Sequence, residues 1–273
     1  MSAILKPIYI IWYRDLLRFW RDKTRIIAAL AQPLMFLAFL GPGLSAGMGV
    51  LGRNPLGQEI DYVKFLYPGI ICMTVLFTAI FSAISVVWDR EFGFLKEVLV
   101  APISRAAVAL GKALGGSTVA MIQGTILLLL APLVGVGLSV GTVALLLPLL
   151  FLTALSITSL GLMIAARMRT MEGFQMMMNF LMMPMFFLSG ALFPITNLPQ
   201  WLNLLTRLNP VTYAVNSIRR LILQATDLPS QVLPPVGFSL GGTYVSLSND
   251  VIVLAAFAGV MIILAMRAFS AQE

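Results

Sequence analysis

ALGGSTVAMIQGTILLLLAPLVGVGLSVGTVALLLPLLFLTALSITSLGLMIAA, residues 113–166, runs for 54 residues without one charged side chain. As a single helix rising about 1.5 Å per residue it would far exceed a hydrocarbon core of roughly 30 Å, so it must cross a membrane twice. Glycine punctuates the run at Gly135, Gly137 and Gly141, which puts the break there and predicts spans over 113–135 and 141–166. Upstream, 65–88 forms another span between Lys64 and Asp89, and 26–51 forms the first, with a kink expected at Pro33. Downstream, Pro184, Gly190, Pro194 and Pro199 divide an uncharged stretch so that only 173–192 has the character of a span. The last is 251–267, with Asp250 near its start. The prediction is an all-α polytopic membrane protein of six transmembrane helices in a single domain, 1–273.

Composition agrees, with 59% hydrophobic and 11% charged residues where a soluble domain carries roughly a quarter charged. There is no histidine and a single cysteine, Cys72, so disulfides, haem ligation and the usual zinc sites lack their raw material. The net charge of +7 sits beside apolar runs, which points to anionic lipid and away from nucleic acid. No cleaved signal is expected, because the first residues mix Lys6, Arg14, Asp15, Arg18 and Arg21 with aromatics. Over 4–22, Ile8, Trp12, Leu16, Phe19 and Trp20 fall at helical spacing with Arg14, Arg18 and Arg21 on another face. That pattern describes an amphipathic helix lying in the membrane interface, or else one packed on a domain.

With six spans both termini share one side. If it is cytoplasmic it receives 13 of the 18 basic residues, as the positive-inside rule favours. Catalytic sets for intramembrane proteolysis or acyl transfer are missing from the spans. Every Asp, Glu, Lys and Arg is expected outside a span or at its boundary, which argues against ion-coupled transport. Gly111 and Lys112 are followed by Ala113 and preceded at P-loop spacing by Ala106, so they do not form a nucleotide-binding loop.

Thr74, Thr78, Ser82 and Ser85 make a hydroxyl stripe interleaved with Phe77 and Phe81. Such a stripe either lines a substrate path or bonds its own helix's carbonyls at a packed interface. Gly116, Ala120 and Gly124 form a small-residue ridge for close packing. Seven methionines lie between Met171 and Met185 with Asn179 among them; the methionines suit an adaptable apolar surface or ordinary packing, and Asn179, if buried, needs a partner. After the fifth span, 198–208 and 210–224 predict two short helices opened by Asn197 and Asn209, on the surface or as a hairpin dipping into the membrane, and 228–246 predicts an external loop.

The segment WDREFGFLKEVLVAPISR, 88–105, alternates charge with Phe92, Phe94, Leu95, Val98 and Leu99 and can present a short amphipathic helix to a soluble partner. It resembles the coupling segment of ABC-2 family membrane subunits of ABC exporters, a pattern close to RExGTLExLLVTPVSR, through Arg90, Glu91, Gly93, Leu95, Leu99, Pro102, Ser104 and Arg105; Phe94 and Lys96 depart from it. The stretch 188–220 resembles that family's external re-entrant hairpin through Gly190, Phe193, Pro194, Leu198, Pro199, Trp201, Asn209, Pro210, Tyr213 and Arg219. The likeness covers essentially the whole chain and is greatest to drug-resistance and nodulation-factor permeases.

What the resemblance implies is a homodimeric permease in a bacterial or archaeal cytoplasmic (inner) membrane, with both termini cytoplasmic and no cofactor or catalytic residue of its own. ATP and Mg would be bound by a separate ABC ATPase subunit. Coupling to that partner would run through Arg90, Glu91, Phe92, Gly93, Leu95 and Glu97 within 89–105, the hairpin would span 197–224, and export of a drug, lipid or lipid-linked glycan would follow. Thr74, Phe77, Thr78, Phe81, Ser82 and Asn179 are the candidates for the path. The rival reading is a membrane scaffold or receptor that keeps this fold without transporting.

Overall fold

The computed structural model describes residues 5–43, 62–92, 104–193, 195, 198–225, 239–240, 243–244 and 246–270. Its helices are α1 (Leu5–Arg21), α2 (Lys23–Met35), α3 (Tyr62–Ser82), α4 (Ile84–Glu91), α5 (Arg105–Leu129), α6 (Val140–Ala165), α7 (Met171–Phe187), α8 (Gln200–Leu208), α9 (Pro210–Ala225) and α10 (Leu247–Ser270). Two-residue strands β1 (Ser239–Leu240) and β2 (Thr243–Tyr244) pair antiparallel inside the stretch expected to be plain loop.

Among the described residues, five helical stretches are long and apolar enough to cross a membrane: Ile26–Gly43, Tyr62–Glu91, Arg105–Leu129, Val140–Ala165 and Leu247–Ser270. In the first, helix α2 contains Pro33 and widens into a π turn over Phe36–Leu40, the local adjustment a mid-helix proline favours. The expected continuation over 44–51 lies outside the described residues. The long uncharged run breaks where glycine predicts: a short 3-10 turn, Ala131–Val134, ends at Gly135 in a left-handed conformation, φ 71°, and Ser139 caps α6 by accepting from the Thr142 N–H.

One expected span is shorter than its predicted bounds. The 173–192 segment forms α7, whose 17 residues stop at Phe187, about 25 Å of helix. The chain then turns through Gly190, φ 75°, where only glycine is at ease.

Within lipid the hydrophobic effect does not drive helix association, so close van der Waals packing has to. Helix α5 meets it with two glycine faces. On one, a Cβ at Gly124 would lie 2.8 Å from Val75 Cγ2, and one at Gly116 would lie 2.8 Å from Thr158 Cγ2 and closer still to Ser82 Oγ, so the ridge seats α5 against α3 and α6. On the other, Cβ atoms at Gly111 and Gly115 would fall 2.9 Å from Ile11 Cβ and 3.0 Å from Asp15 Cβ. Helix α1 therefore lies along α5, with Phe19 buried, Trp12 Nε1 donating to Thr118 Oγ1 at 3.1 Å, and Tyr9, Tyr13 and Trp20 on the open side. Trp20, grouped with Phe19 in the apolar set, is 70% exposed because it follows Phe19 by a single residue, a rotation of about 100°.

Helix α3 is the centre of the bundle, packed on α5, α6 and α9; α10 is peripheral against α6 and α9. Among the apolar windows, that of α3 is 72% buried and that of α10 17%.

The ridge generates a stability prediction. Gly116→Val should lower stability by about 1–3 kcal/mol through overpacking, whereas Gly259→Val, with nothing within 4 Å of its Cβ position, should not be overpacked. Thermal unfolding of the purified protein in one detergent, followed by size-exclusion elution, compares the two; equal losses would refute the packing role.

Candidate functional site

Helix α3 continues into α4 through a single turn residue, Ala83, and α4 ends in Arg90 and Glu91. These adjacent side chains engage the two ends of a turn between α6 and α7. Arg90 donates from Nη2 to Ala166 O at 2.7 Å and from Nη1 to Met168 O at 2.6 Å, while Glu91 Oε2 accepts from the Met171 N–H at 2.8 Å. The signs follow helix electrostatics: a guanidinium meets carbonyls at the C-terminus of α6, and a carboxylate meets an N–H at the N-terminus of α7. Thr170 completes the α7 start by accepting from Gly173 N at 3.2 Å. Phe92 closes α4, its ring 4.8 Å from Trp88 and its side chain exposed. Gly93, Leu95 and Glu97 lie outside the described residues.

One turn deeper is a charge cluster that the sequence reading missed. Lys112 is 5% exposed and stands inside α5, which begins at Arg105, ahead of the span expected from residue 113. Its Nζ lies 3.4 Å from Asp15 Oδ1 of α1 and 3.5 Å from Asp89 Oδ2 of α4, and donates to Ser85 Oγ at 2.9 Å. Arg14 sits 3.8 Å from both Asp15 and Asp89. A buried ammonium is tolerable only with such partners, so the cluster fixes α1, α4 and α5 to one another. The available signal was Lys112 itself, one cation in a run of small residues facing Asp15 and Asp89.

The hydroxyl stripe bonds mostly to its own helix and also borders a cavity. Thr74, Ser82 and Ser85 donate to the carbonyls of Ile70, Ala79 and Ser82, and Thr78 donates to the Gln123 side-chain oxygen of α5. Thr74, Phe77, Thr78 and Phe81 nevertheless border one open cavity of about 260 Å³, lined also by Phe19 of α1, by α2 and by Val119 and Gln123 of α5. Since the Thr74 and Thr78 protons are engaged, these hydroxyls offer it acceptor lone pairs. Ser82 borders a smaller neighbouring cavity. Asn179 does not join them: it lies on the exposed side of α7 with Met176, Phe180 and Met183, while Phe174, Met178 and Met182 turn inward. Helical periodicity alone left open which face of α7 would be covered.

At the opposite end, the hairpin residues converge on the carbonyls that α7 and its turn leave open. Asn209 donates from Nδ2 to Met185 O at 2.7 Å and caps α9 by accepting from Val211 N, with Pro210 as the first residue of that helix. Arg219 is 2% exposed, donates from Nη2 to Gly190 O at 2.8 Å and Ala191 O at 3.2 Å, and lies 4.1 Å over the Phe65 ring. Tyr62 donates to Leu192 O, and Tyr213 to Arg207 O at 2.9 Å. Asp250, wholly buried in the first turn of α10, accepts from Asn216 Nδ2 at 2.6 Å. The two short helices differ in kind. Helix α8 keeps Trp201 and Leu208 exposed, whereas α9 is buried nearly end to end. Asn197 and Pro194 lie outside the described residues, and α8 starts at Gln200 after Pro199.

Long apolar helices, paired charges at one end and a buried polar hairpin at the other place the chain among multi-pass helical membrane proteins. It belongs to the ABC-2 type transporter family, whose profile matches residues 6–223, and is thus a transmembrane transport subunit of an ABC transporter. It is 28% identical over 258 residues to the transport permease ycf38 of Cyanophora paradoxa, covering 93% of this chain and 85% of that one. To the probable multidrug ABC transporter permease YbhR of Escherichia coli (strain K12) it is 30% identical over 177 residues, 64% of this chain and 48% of that one. To nodulation protein J of Sinorhizobium fredii it is 28% identical over 217 residues, 78% and 80% of the two chains.

Lys112→Met should destabilise the protein by about 3 kcal/mol, the low end for a broken buried pair because Asp15 and Asp89 retain some solvent. Adding Asp15→Asn and Asp89→Asn should recover most of the loss. A thermal-unfolding series in detergent reads this, and a triple variant no better than Lys112→Met would exclude the cluster as the cause.

Proposed function

We propose that the chain is the membrane subunit of an ATP-driven exporter that moves an amphipathic or lipid-like substrate (a drug, a lipid or a lipid-linked glycan) out of the cytoplasm. Two copies form the permease in a bacterial or archaeal inner membrane, and a separate ABC ATPase subunit binds ATP and Mg. Helix α7 serves as a short fifth crossing, making six, with both termini cytoplasmic; the 13-to-5 division of basic residues supports that orientation. The relatives named for multidrug transport and nodulation support export of amphiphiles.

The observation that carries the mechanism is the Arg90–Glu91 clamp. It lies within the proposed coupling segment, 89–105, so a push from a closing ATPase dimer reaches α6 and α7 through hydrogen bonds of 2.6–2.8 Å. The same push reaches the cavity on α3, because α4 is its continuation. Glu91 then acts in the coupling segment through a contact within this chain. Rearrangement of the helices around the cavity opens it outward.

Glu91→Ala should leave insertion and dimerisation intact and lower flux per ATP by about fivefold or more in the reconstituted complex with its ATPase, the lower bound of typical coupling energies. Substrate flux and hydrolysis measured on one preparation decide it, and wild-type flux per ATP would remove the clamp from the mechanism.

Orientation has its own test. With Cys72 replaced, a cysteine at Ser2 should react with a membrane-impermeant thiol reagent only after the cell membrane is opened, and one at Gly242 should react in intact cells once any outer barrier is permeabilised. Labelling of Ser2 from outside would reverse the topology.

A further inference from the structure

The 260 Å³ cavity has a smaller neighbour of about 60 Å³, and the linings of the two share Phe19 and Val119. Phe19 is 4% exposed, so its ring is the partition between them. What changes across that ring is charge. The larger lining is uncharged, with Met73, Phe77 and Phe81 as its apolar wall beside Thr74, Thr78 and Gln123; the smaller holds Asp15 and the exposed Arg18 beside Ser85 and Trp88. The charges on the smaller side do not cancel. Lys112 and Arg14 are matched by Asp15 and Asp89, whereas Arg18 borders the cavity and pairs with none of the described carboxylates. A chamber with one surplus cation, adjoining an uncharged chamber with an apolar wall, is complementary to a molecule with an acidic head and a hydrocarbon tail.

We infer that the joined cavities bind an anionic amphiphile, its acidic headgroup against Arg18 and its chain among Phe77 and Phe81, with the Phe19 ring turned aside to admit it. The site deepens the proposed export reading and rests on it only for the side of entry, the cytoplasmic leaflet beside α1. A bilayer phospholipid and a transported anionic amphiphile share this chemistry, and they differ in whether ATP hydrolysis empties the site.

The probe is phosphatidylglycerol carrying a diazirine at the end of one acyl chain, compared with phosphatidylcholine of the same chains, in nanodiscs holding the full chain. After irradiation, peptide mapping should find the phosphatidylglycerol label on residues 73–81 of α3, with phosphatidylcholine labelling them several-fold less. Arg18→Glu should cut that label about tenfold, and Arg21→Glu, exposed and outside both linings, should change it by less than about twofold. Ala29→Trp, filling the uncharged chamber from α2, should abolish the α3 label while label persists on outward residues such as Ile27 and Phe39. Label confined to those outward residues, or equal α3 label from both lipids that ignores Arg18→Glu, would overturn the site. Adding the ATPase partner and ATP separates the sources: falling label marks cargo and constant label a resident lipid, and either result upholds the site. Absent α3 label alongside intact ATP-driven flux would discard the site and keep the exporter; intact label without flux would do the reverse.

Discussion

Four glycines on two faces of α5, at Gly111, Gly115, Gly116 and Gly124, set how closely its neighbours approach, and most of the arrangement follows from that distance. Where lipid tails are as apolar as leucine, helices gain from contact only when backbones come near enough for dense dispersion contacts. The two faces have different partners. One draws α3 and α6 into the core; the other holds α1, a helix whose exposed tyrosines, Tyr9 and Tyr13, stack at 6.0 Å on its far side. Because α1 is brought this close, Asp15 comes within reach of Lys112, and a charge that lipid would reject becomes part of a cluster.

Polar groups elsewhere obey the same requirement that the protein satisfy what the bilayer cannot. The α7 helix ends before its chain has left the bundle, and the carbonyls exposed by that ending need donors. Asn209, Arg219 and Tyr62 supply them. Tyr67 does the same for the end of α5, donating to Leu127 O at 2.7 Å and Leu128 O at 3.3 Å. The hairpin is therefore part of the bundle's hydrogen bonding as well as an appendage, and α9, which carries Arg219 and is capped by Asn209, is buried while α8 is not.

This division explains what could be read in advance. Glycine breaks, apolar lengths and the Gly116–Ala120–Gly124 ridge are local properties, and they located the helices and the tight contact of α5 with α3. The Asn209 cap before Pro210 was equally legible, since cap and helix start adjoin in sequence. Partners distant in sequence were not. Lys112 meets Asp15 across 97 residues and Glu91 meets Met171 across 80, separations that no periodicity encodes. The burial of Lys112, the exposure of Asn179 and the early end of α7 each depended on a neighbour that the residue's own helix does not specify. For the cavity, the stripe identified the α3 wall, but Phe19, Val119 and Gln123 came from helices whose rotation only packing fixes.

The clamp, the charge cluster and the cavity lie in order along one element, and that order bears on how motion would travel in the proposed exporter. Glu91 and Arg90 hold the end of α4, Asp89 and Ser85 face Lys112 from the turn before, and Phe81, Thr78 and Thr74 face the cavity beyond the Ala83 break. At that break the Ala83 N–H donates to Ile80 O and its carbonyl accepts from Val86 N, both at 3.0 Å and both spanning three residues where α-helical bonding would span four. The backbone is thus continuous but locally tightened, between a segment held by charge and a segment held by van der Waals contact. Charge contacts have few geometries in which every partner is satisfied, while the packing of Gly116 and Gly124 resists sliding without forbidding small rotations. A displacement entering at Glu91 would accordingly move α4 as a unit and be taken up at Ala83, arriving at the cavity as a rotation of its phenylalanine wall.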